Sequence, residues 1–450
     1  MSPIIIKTIQ FFLSLSLLII LHELGHFIPA KIFKTRVEKF FLFFDIKWAL
    51  FKKQVGETVY GIGWLPLGGY VKISGMIDES MDTEQMAQEP KPWEFRSKPA
   101  WQRLIIMLGG VTVNFILAVV IYIGMAYSYG DQYIPLNSIK DGLWITEKNI
   151  GDKLGVQTGD KILAVDGEEI ERYRDLFGEI INGDQITIER DGQVIEKDIP
   201  IDFIATLLED EEKIRFLNFR IPFVIGPMPS DSHNKDSGLK NKDIITYIGS
   251  DPVTFFDQAK PILEKYKGNA TTVTVDRKGQ TLEIPVQVTD SATIGVALGS
   301  ILYEDLENKG FFTLETKKYS FAEAIPAGVS QGWNTLSSYA KQLKKIFNPE
   351  TGAYKGVGGF AAIGNLFPDT WDWRMFWNTT ALISIILAFM NILPIPALDG
   401  GHVAFLLYEM VTGRKPSDRF LEYAQMIGFF LLIGLLLFAN GNDIYKWLMK

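Results

Sequence analysis

Phe11-Phe-Leu-Ser-Leu-Ser-Leu-Leu-Ile-Ile-Leu-His22-Glu23-Leu-Gly-His26 places an uncharged apolar run directly before three ionisable residues. With the preceding turns from Pro3, the run reads as a membrane-spanning helix that meets His-Glu before lipid depth is exhausted. Ionisable groups at that depth cost several kcal/mol unless partnered, and by default they mark function. The spacing of four sets His22 and His26 on one helix face, within reach of a single tetrahedral cation. Glu23 projects beside them, where it can take a proton from an attacking water. Chance is the ordinary objection to so short a motif. Here the chain has only four histidines, and two of them form it. Zinc suits nitrogen and carboxylate donors and has no redox chemistry, so one Zn2+ per chain is expected.

A three-ligand site needs one more donor, from another membrane helix. Asn391-Ile-Leu-Pro-Ile-Pro-Ala-Leu-Asp399-Gly-Gly-His402 closes a second apolar run, and Asp399 is its only carboxylate. Pro394 and Pro396 break helical hydrogen bonding and Gly400 and Gly401 relax the backbone, so the chain can turn a carboxylate toward a metal. Asp399 is the favoured third ligand and His402 the rival. A helix N-cap is the structural alternative for Asp399.

Outward from these motifs, Leu104 to Gly130, Met375 to Leu398 and Tyr423 to Asn442 carry no Asp, Glu, Lys or Arg. Each can cross a hydrocarbon core of about 30 Å, which takes roughly 20 helical residues. With the N-terminal run they predict four transmembrane helices. A cleaved signal peptide competes for the first, but its apolar run passes into His-Glu and not into small residues suited to cleavage.

The net charge of −8 is unevenly divided. Residues 131–310 hold 20 basic and 33 acidic side chains, a balance of −13 that leaves +5 elsewhere. Residues 29–103 hold 12 basic and 9 acidic, and Arg414, Lys415 and Arg419 lie between the last two spans. Positive residues in short loops mark the cytoplasmic side, so both termini and the acidic middle are expected on the opposite side. The chain has no cysteine, which excludes thiolate metal sites, disulfides and a cysteine nucleophile.

The glycine-punctuated stretch Gly61-Ile-Gly-Trp-Leu-Pro-Leu-Gly-Gly-Tyr-Val-Lys72 predicts a hairpin, re-entrant beside the site or resting on the cytoplasmic surface. Residues 78–92 predict an exposed acidic loop, and Trp93 to Arg103 an interfacial anchor. In the acidic middle, Gly155-Val-Gln-Thr-Gly-Asp-Lys-Ile-Leu-Ala-Val-Asp-Gly167 is echoed by Gly238-Leu-Lys-Asn-Lys-Asp-Ile-Ile-Thr-Tyr-Ile-Gly249, and Arg190-Asp-Gly by Arg277-Lys-Gly. Two copies of one β-rich module explain this most simply, and the pattern resembles tandem PDZ domains, which pair a peptide strand with a sheet edge.

Taken together, His-Glu-x-x-His in the first membrane helix and Asn391-x-x-Pro394-x-x-x-Leu398-Asp399-Gly400 in a late one resemble the site-2 protease family of intramembrane zinc metalloproteases. Pro66-Leu-Gly-Gly-Tyr-Val-Lys72, Gly110-x-x-x-Asn114 and the paired PDZ-like modules narrow the resemblance to the bacterial branch called regulator of sigma-E protease. The resemblance implies that His22, His26 and Asp399 bind zinc, that Glu23 activates water, and that Asn391 holds the substrate backbone or the developing oxyanion. It also implies that Gly68, Gly69 and Tyr70 pair with an unwound substrate.

The implied architecture is an α-helical membrane protein with a re-entrant β-hairpin and two PDZ-like soluble domains. Its parts are the first helix (1–28), a cytoplasmic-side segment with the hairpin (29–103), the second helix (104–130), two PDZ-like domains (131–220 and 221–305), an amphipathic region of short membrane-surface helices (306–373), the third helix (374–411), and a loop with the fourth helix (412–450). The implied location is the bacterial inner (cytoplasmic) membrane, with the site toward the cytoplasm and the PDZ-like domains and termini on the outer side. The implied partners are single-span membrane protein substrates, the lipid bilayer and peptide C-termini at the PDZ-like domains; no nucleic-acid partner is expected. Two other functions compete. A PDZ-type scaffold with a vestigial metal site has no need of Glu23, and a metal transporter would carry ionisable groups in its other spans.

Overall fold

The computed structural model describes residues 2–76, 89–209 and 216–449, so most of the acidic loop predicted over 78–92 lies outside the described residues. The chain divides into two units, Met1–Gly130 with Lys318–Phe347 and Tyr354–Lys450, and Asp131–Lys317 with Asn348–Ala353.

The first unit is helical. Its longer helices are α1 (Pro3–Ile32), α2 (Ala100–Tyr129), α3 (Phe321–Phe347), α4 (Trp373–Ile392), α5 (Asp399–Thr412) and α6 (Asp418–Met449). Among the described residues, α1, α2, α4 and α6 are long and apolar enough to cross a membrane. On α1 the buried positions Gln10, Ser14, Leu18, His26 and Ala30 fall on one row at multiples of four. His22 lies on the same row, so the motif faces protein and not lipid. Proline at the start of α1 has its missing N–H where no intrahelical partner exists.

α1 and α2 run antiparallel with their backbones in contact. A methyl at Gly25 would lie 2.4 Å from the Gly109 carbonyl oxygen, and one at Gly109 would lie 1.9 Å from that of Gly25. Without a hydrophobic force between helices in lipid, such close approach of small residues supplies the packing.

Between these helices, β1 (Val37–Val55) and β2 (Thr58–Ile73) fold into a sheet in which each strand bends back on itself. Phe41 is partnered by Gly61 on one side and Tyr70 on the other, and the far half of β1 returns along β2 from Ala49↔Gly63 to Val55↔Thr58. Its far end leaves Trp48, Leu50 and Phe51 more than half exposed.

The second unit has two apolar cores. One gathers Leu143, Ile150, Ile162, Ile180, Ile188 and Phe216. The other gathers Phe223, Ile245, Ile248, Val273, Val275 and Ile284. In the first module, β3 (Asp131–Tyr133) and β4 (Leu143–Ile145) precede the antiparallel set β5 (Lys161–Val165), β6 (Glu168–Glu169), β7 (Gln185–Arg190) and β8 (Gln193–Asp198), ordered β6-β5-β7-β8, and β9 (Leu217–Phe219) pairs back with β4. In the second, β10 (Phe223–Val224), β11 (Ile244–Ile248), β13 (Ala270–Arg277) and β14 (Gln280–Gln287) are neighbours in that order, with β12 (Asp251–Pro252) beside β11. The echoed sequences occupy equivalent places. Arg190 clamps Asp160 and the Gly155 carbonyl, and Arg277 clamps Asp243 and the Gly238 carbonyl.

Two features correct the division drawn from sequence. Residues 306–317, assigned above to a membrane-surface region, return to the first module: Leu306 and Phe312 fill its core, and β15 (Glu315–Lys317) pairs with β3. The second module is therefore inserted within the first. Beyond it, α3 is one helix of 27 residues and not several short ones. It packs lengthwise on α2 through a stripe of small buried residues four apart, Ala324, Gly328 and Gly332, with Gly328 against Ile123 and Gly332 against Val119.

Candidate metal centre

His22 and His26 reach the site from α1, and Asp399 reaches it from the first residue of α5. The break between α4 and α5, residues 393–398, delivers Asp399. Pro394 and Pro396 have no N–H to continue the helix. Ala397 takes a left-handed conformation at φ +77°. Its N–H donates to the Gln425 side chain of α6, 3.2 Å away. Gly428, one turn further along α6, sits so close to the Pro396 carbonyl that a methyl there would come within 1.7 Å of its oxygen. α5 then folds back tightly, with a methyl at Gly400 only 2.1 Å from the Leu393 oxygen.

The three side chains converge. Asp399 Oδ2 lies 3.4 Å from His22 Nε2 and 3.3 Å from His26 Nε2, and the two Nε2 atoms are 3.3 Å apart. Those separations match the edges of a tetrahedron, about 3.3–3.4 Å, whose centre makes bonds of about 2.0–2.1 Å to nitrogen and oxygen. Asp399 Oδ2 is buried and receives no well-formed hydrogen bond. A buried anionic oxygen facing two imidazole nitrogens at these separations is the arrangement a cation satisfies, so the residues fit zinc. Among the described residues this is the one His/Cys/Asp/Glu group that gathers in this way, and His402 is not in it. His402 instead lines a small separate cavity with Arg103, Phe405 and Glu409.

The outer contacts of the imidazoles come from α2. His26 Nδ1–H donates to the Ile106 carbonyl at 2.8 Å, which leaves the Nε2 lone pair facing the cluster. Gly110 lies directly behind the rings: a methyl there would be 2.3 Å from His26 Nε2 and 2.6 Å from His22 Cε1. Glu23 stands beside the three, close to the backbone of Val71 in β2. Gly69 brings β2 against α1, since a methyl there would lie 2.4 Å from Ile19 and 3.6 Å from the Glu23 side chain. Tyr70, its neighbour, stacks between Phe41 and Phe44 and donates its hydroxyl to Asp45 at 2.6 Å. Gly68 lies against the Phe44 ring. Asn391 is half-buried in the last turn of α4, two residues before the break.

Gln425, Gly428 and the Ile106 carbonyl were not singled out from sequence. Gln425 was detectable as a polar side chain in the charge-free run of α6, whereas a backbone carbonyl leaves no trace in residue type.

The model of peptidase family M50 matches residues 10–435. Across 97% of this chain and 98% of its own length, the regulator of sigma E protease of Haemophilus influenzae is 26% identical. The regulator of sigma-E protease of Escherichia coli is likewise 26% identical over 97% of this chain and 98% of its length. A Neisseria meningitidis protein whose provisional name is zinc metalloprotease is 24% identical over 98% and 99%. The chain belongs to peptidase family M50, the site-2 protease family, and is a membrane zinc metalloprotease.

Proposed function

We propose that this protease hydrolyses peptide bonds within the membrane-spanning segments of single-span proteins, using His22, His26 and Asp399 as its zinc ligands. The observation that carries the reading is the convergence of those side chains between helices apolar enough to lie in lipid. Zinc, when bound, lowers the pKa of a coordinated water to about 7 and polarises the carbonyl under attack. Glu23 takes the proton of the attacking water and returns it to the leaving amine. Asn391 holds the substrate backbone or the developing oxyanion.

Peptide bonds in a transmembrane helix are shielded by their own hydrogen bonds, so the substrate must unwind, and its freed amides need partners. Gly68, Gly69 and Tyr70 supply them by pairing with the substrate as an added strand. Exposed Trp48, Leu50 and Phe51 support a hairpin that dips into the bilayer. The two β-rich modules are PDZ-like, bind peptide C-termini or filter substrates by size, and lie with the termini outside the bacterial inner membrane, opposite the site. The relatives are named regulators of sigma E; the substrates proposed for this chain are anti-sigma factors, remnant signal peptides or both.

Glu23→Gln tests the proposed base. The purified variant is expected to keep zinc and to lose cleavage of a model transmembrane substrate in proteoliposomes; full activity would rule Glu23 out.

A further inference from the structure

Asn114 sits one turn beyond Gly110 on α2, fully buried, with its side-chain nitrogen 3.2 Å from His22 Nδ1. Its Oδ1 is buried without a hydrogen-bond partner. Each imidazole thus has its own contact on α2, on the side away from Asp399: the Ile106 carbonyl for His26 and the Asn114 amide for His22.

The two contacts differ chemically. A carbonyl only accepts, so His26 must carry its proton on Nδ1. An amide offers NH2 or oxygen according to a half-turn of its last torsion, and the two orientations have nearly the same shape. With the NH2 toward His22, Nδ1 must accept, the imidazole proton sits on Nε2, and His22 has no lone pair to give on the Asp399 side. With the oxygen toward His22, Nδ1 carries the proton and Nε2 is free to ligate. Ser384 of α4 donates to the Asn114 backbone carbonyl at 2.7 Å, which holds the main chain still and confines the choice to the side chain.

We propose that Asn114 is the positioning residue of His22: its Oδ1, which has no other partner, accepts from the His22 Nδ1–H and so leaves Nε2 free to ligate. Zinc affinity is thereby coupled to the orientation of one buried amide on a helix that supplies no ligand. The inference rests on His22 being a zinc ligand, as proposed above.

The test uses the full-length protein in detergent, stripped of metal and titrated with zinc against a chromophoric chelator, with cobalt as a spectroscopic probe. Asn114→Leu is expected to weaken zinc binding by about 10- to 100-fold and to change the visible absorption of the cobalt form. Asn114→Asp always presents an acceptor oxygen, and is expected to bind zinc at least as tightly as the wild type with an unchanged cobalt spectrum. Wild-type affinity in Asn114→Leu overturns the proposal. So does weakened binding in Asn114→Asp, which decides the matter even if the leucine variant does not fold. His22→Ala separates the two levels: undiminished zinc binding there would overturn the ligand assignment itself, whereas lost binding there with wild-type affinity in Asn114→Leu would overturn only the role of Asn114.

Discussion

The backbone N–H of Ala397 donates to the side-chain oxygen of Gln425 across 3.2 Å, tying the break before Asp399 to a helix that starts only after Asp399 in the chain. Ala397 is held in a left-handed conformation, which costs a non-glycine residue of order 1 kcal/mol or more and persists only when its surroundings enforce it. Gln425→Leu keeps the volume but removes the acceptor, leaving a part-buried N–H unpaired. A loss of about 1–3 kcal/mol is expected. Since Asp399 follows two residues later, part of that loss will appear as weaker zinc binding. Thermal unfolding with and without zinc measures both, because a weaker ligand stabilises less at fixed concentration.

Gly110 admits no side chain. A methyl at 2.3 Å from His26 Nε2 must push the imidazole or part α1 from α2. Misplacement by about 1 Å costs on the order of 100-fold when geometry is the source of activity. Gly110→Ala is expected to lose activity on that scale and to copurify with less zinc, while Gly124→Ala on the same helix, which meets nothing, serves as the control. Equal zinc content in both variants would remove the argument for steric clearance.

Arg103 at the start of α2 and Glu409 on α5 form a largely enclosed ion pair, with side chains 8% and 19% exposed. Removing one partner leaves an uncompensated charge and costs about 3–5 kcal/mol, whereas replacing both by apolar residues is often neutral. Arg103→Met alone is therefore expected to destabilise the protein strongly, and adding Glu409→Leu to restore much of the loss. Unfolding midpoints of the single and double variants in detergent decide this, and an additive double variant contradicts the pairing.

In the first module, the neighbours that crowd the half-exposed Asp175 partly desolvate its carboxyl and raise it above its ordinary range, and the attraction of Arg174 and Arg172 only partly offsets this. A carboxyl whose pKa is higher folded than unfolded binds more protons in the native state, so stability falls as pH rises from the unfolded value through the folded one. Asp175→Asn removes that loss. Because solvent screens the half-exposed group, the variant is expected to melt only slightly higher than the wild type at pH 7, with the difference vanishing below about pH 4. A gap of the same size at both pH values would place its origin elsewhere.

Much of the site is legible in the residues because local geometry is enough to specify it. A spacing of four puts His22 and His26 on one helix face whatever surrounds the helix. Asp399 stands out as a lone carboxylate after a Pro-rich interruption of an apolar run. By contrast, Leu306 and Phe312 look like ordinary apolar residues past the end of a module. That they fill the first core, and not a membrane surface, follows from where the inserted second module returns the chain. The stripe of Ala324, Gly328 and Gly332 likewise has meaning only beside α2.

By itself the sequence determined the four apolar spans, the pairing of the two imidazoles and a short choice of third donors, since these depend on backbone periodicity and side-chain chemistry over a few turns. Only the tertiary structure decided that Asp399 meets them at 3.3 and 3.4 Å. It also decided that Gln425 braces the turn that carries Asp399, and that α2 presents a carbonyl to one imidazole and an amide to the other. Those relationships join residues tens to hundreds of positions apart, and they exist only once glycine contacts let the helices close to backbone distance.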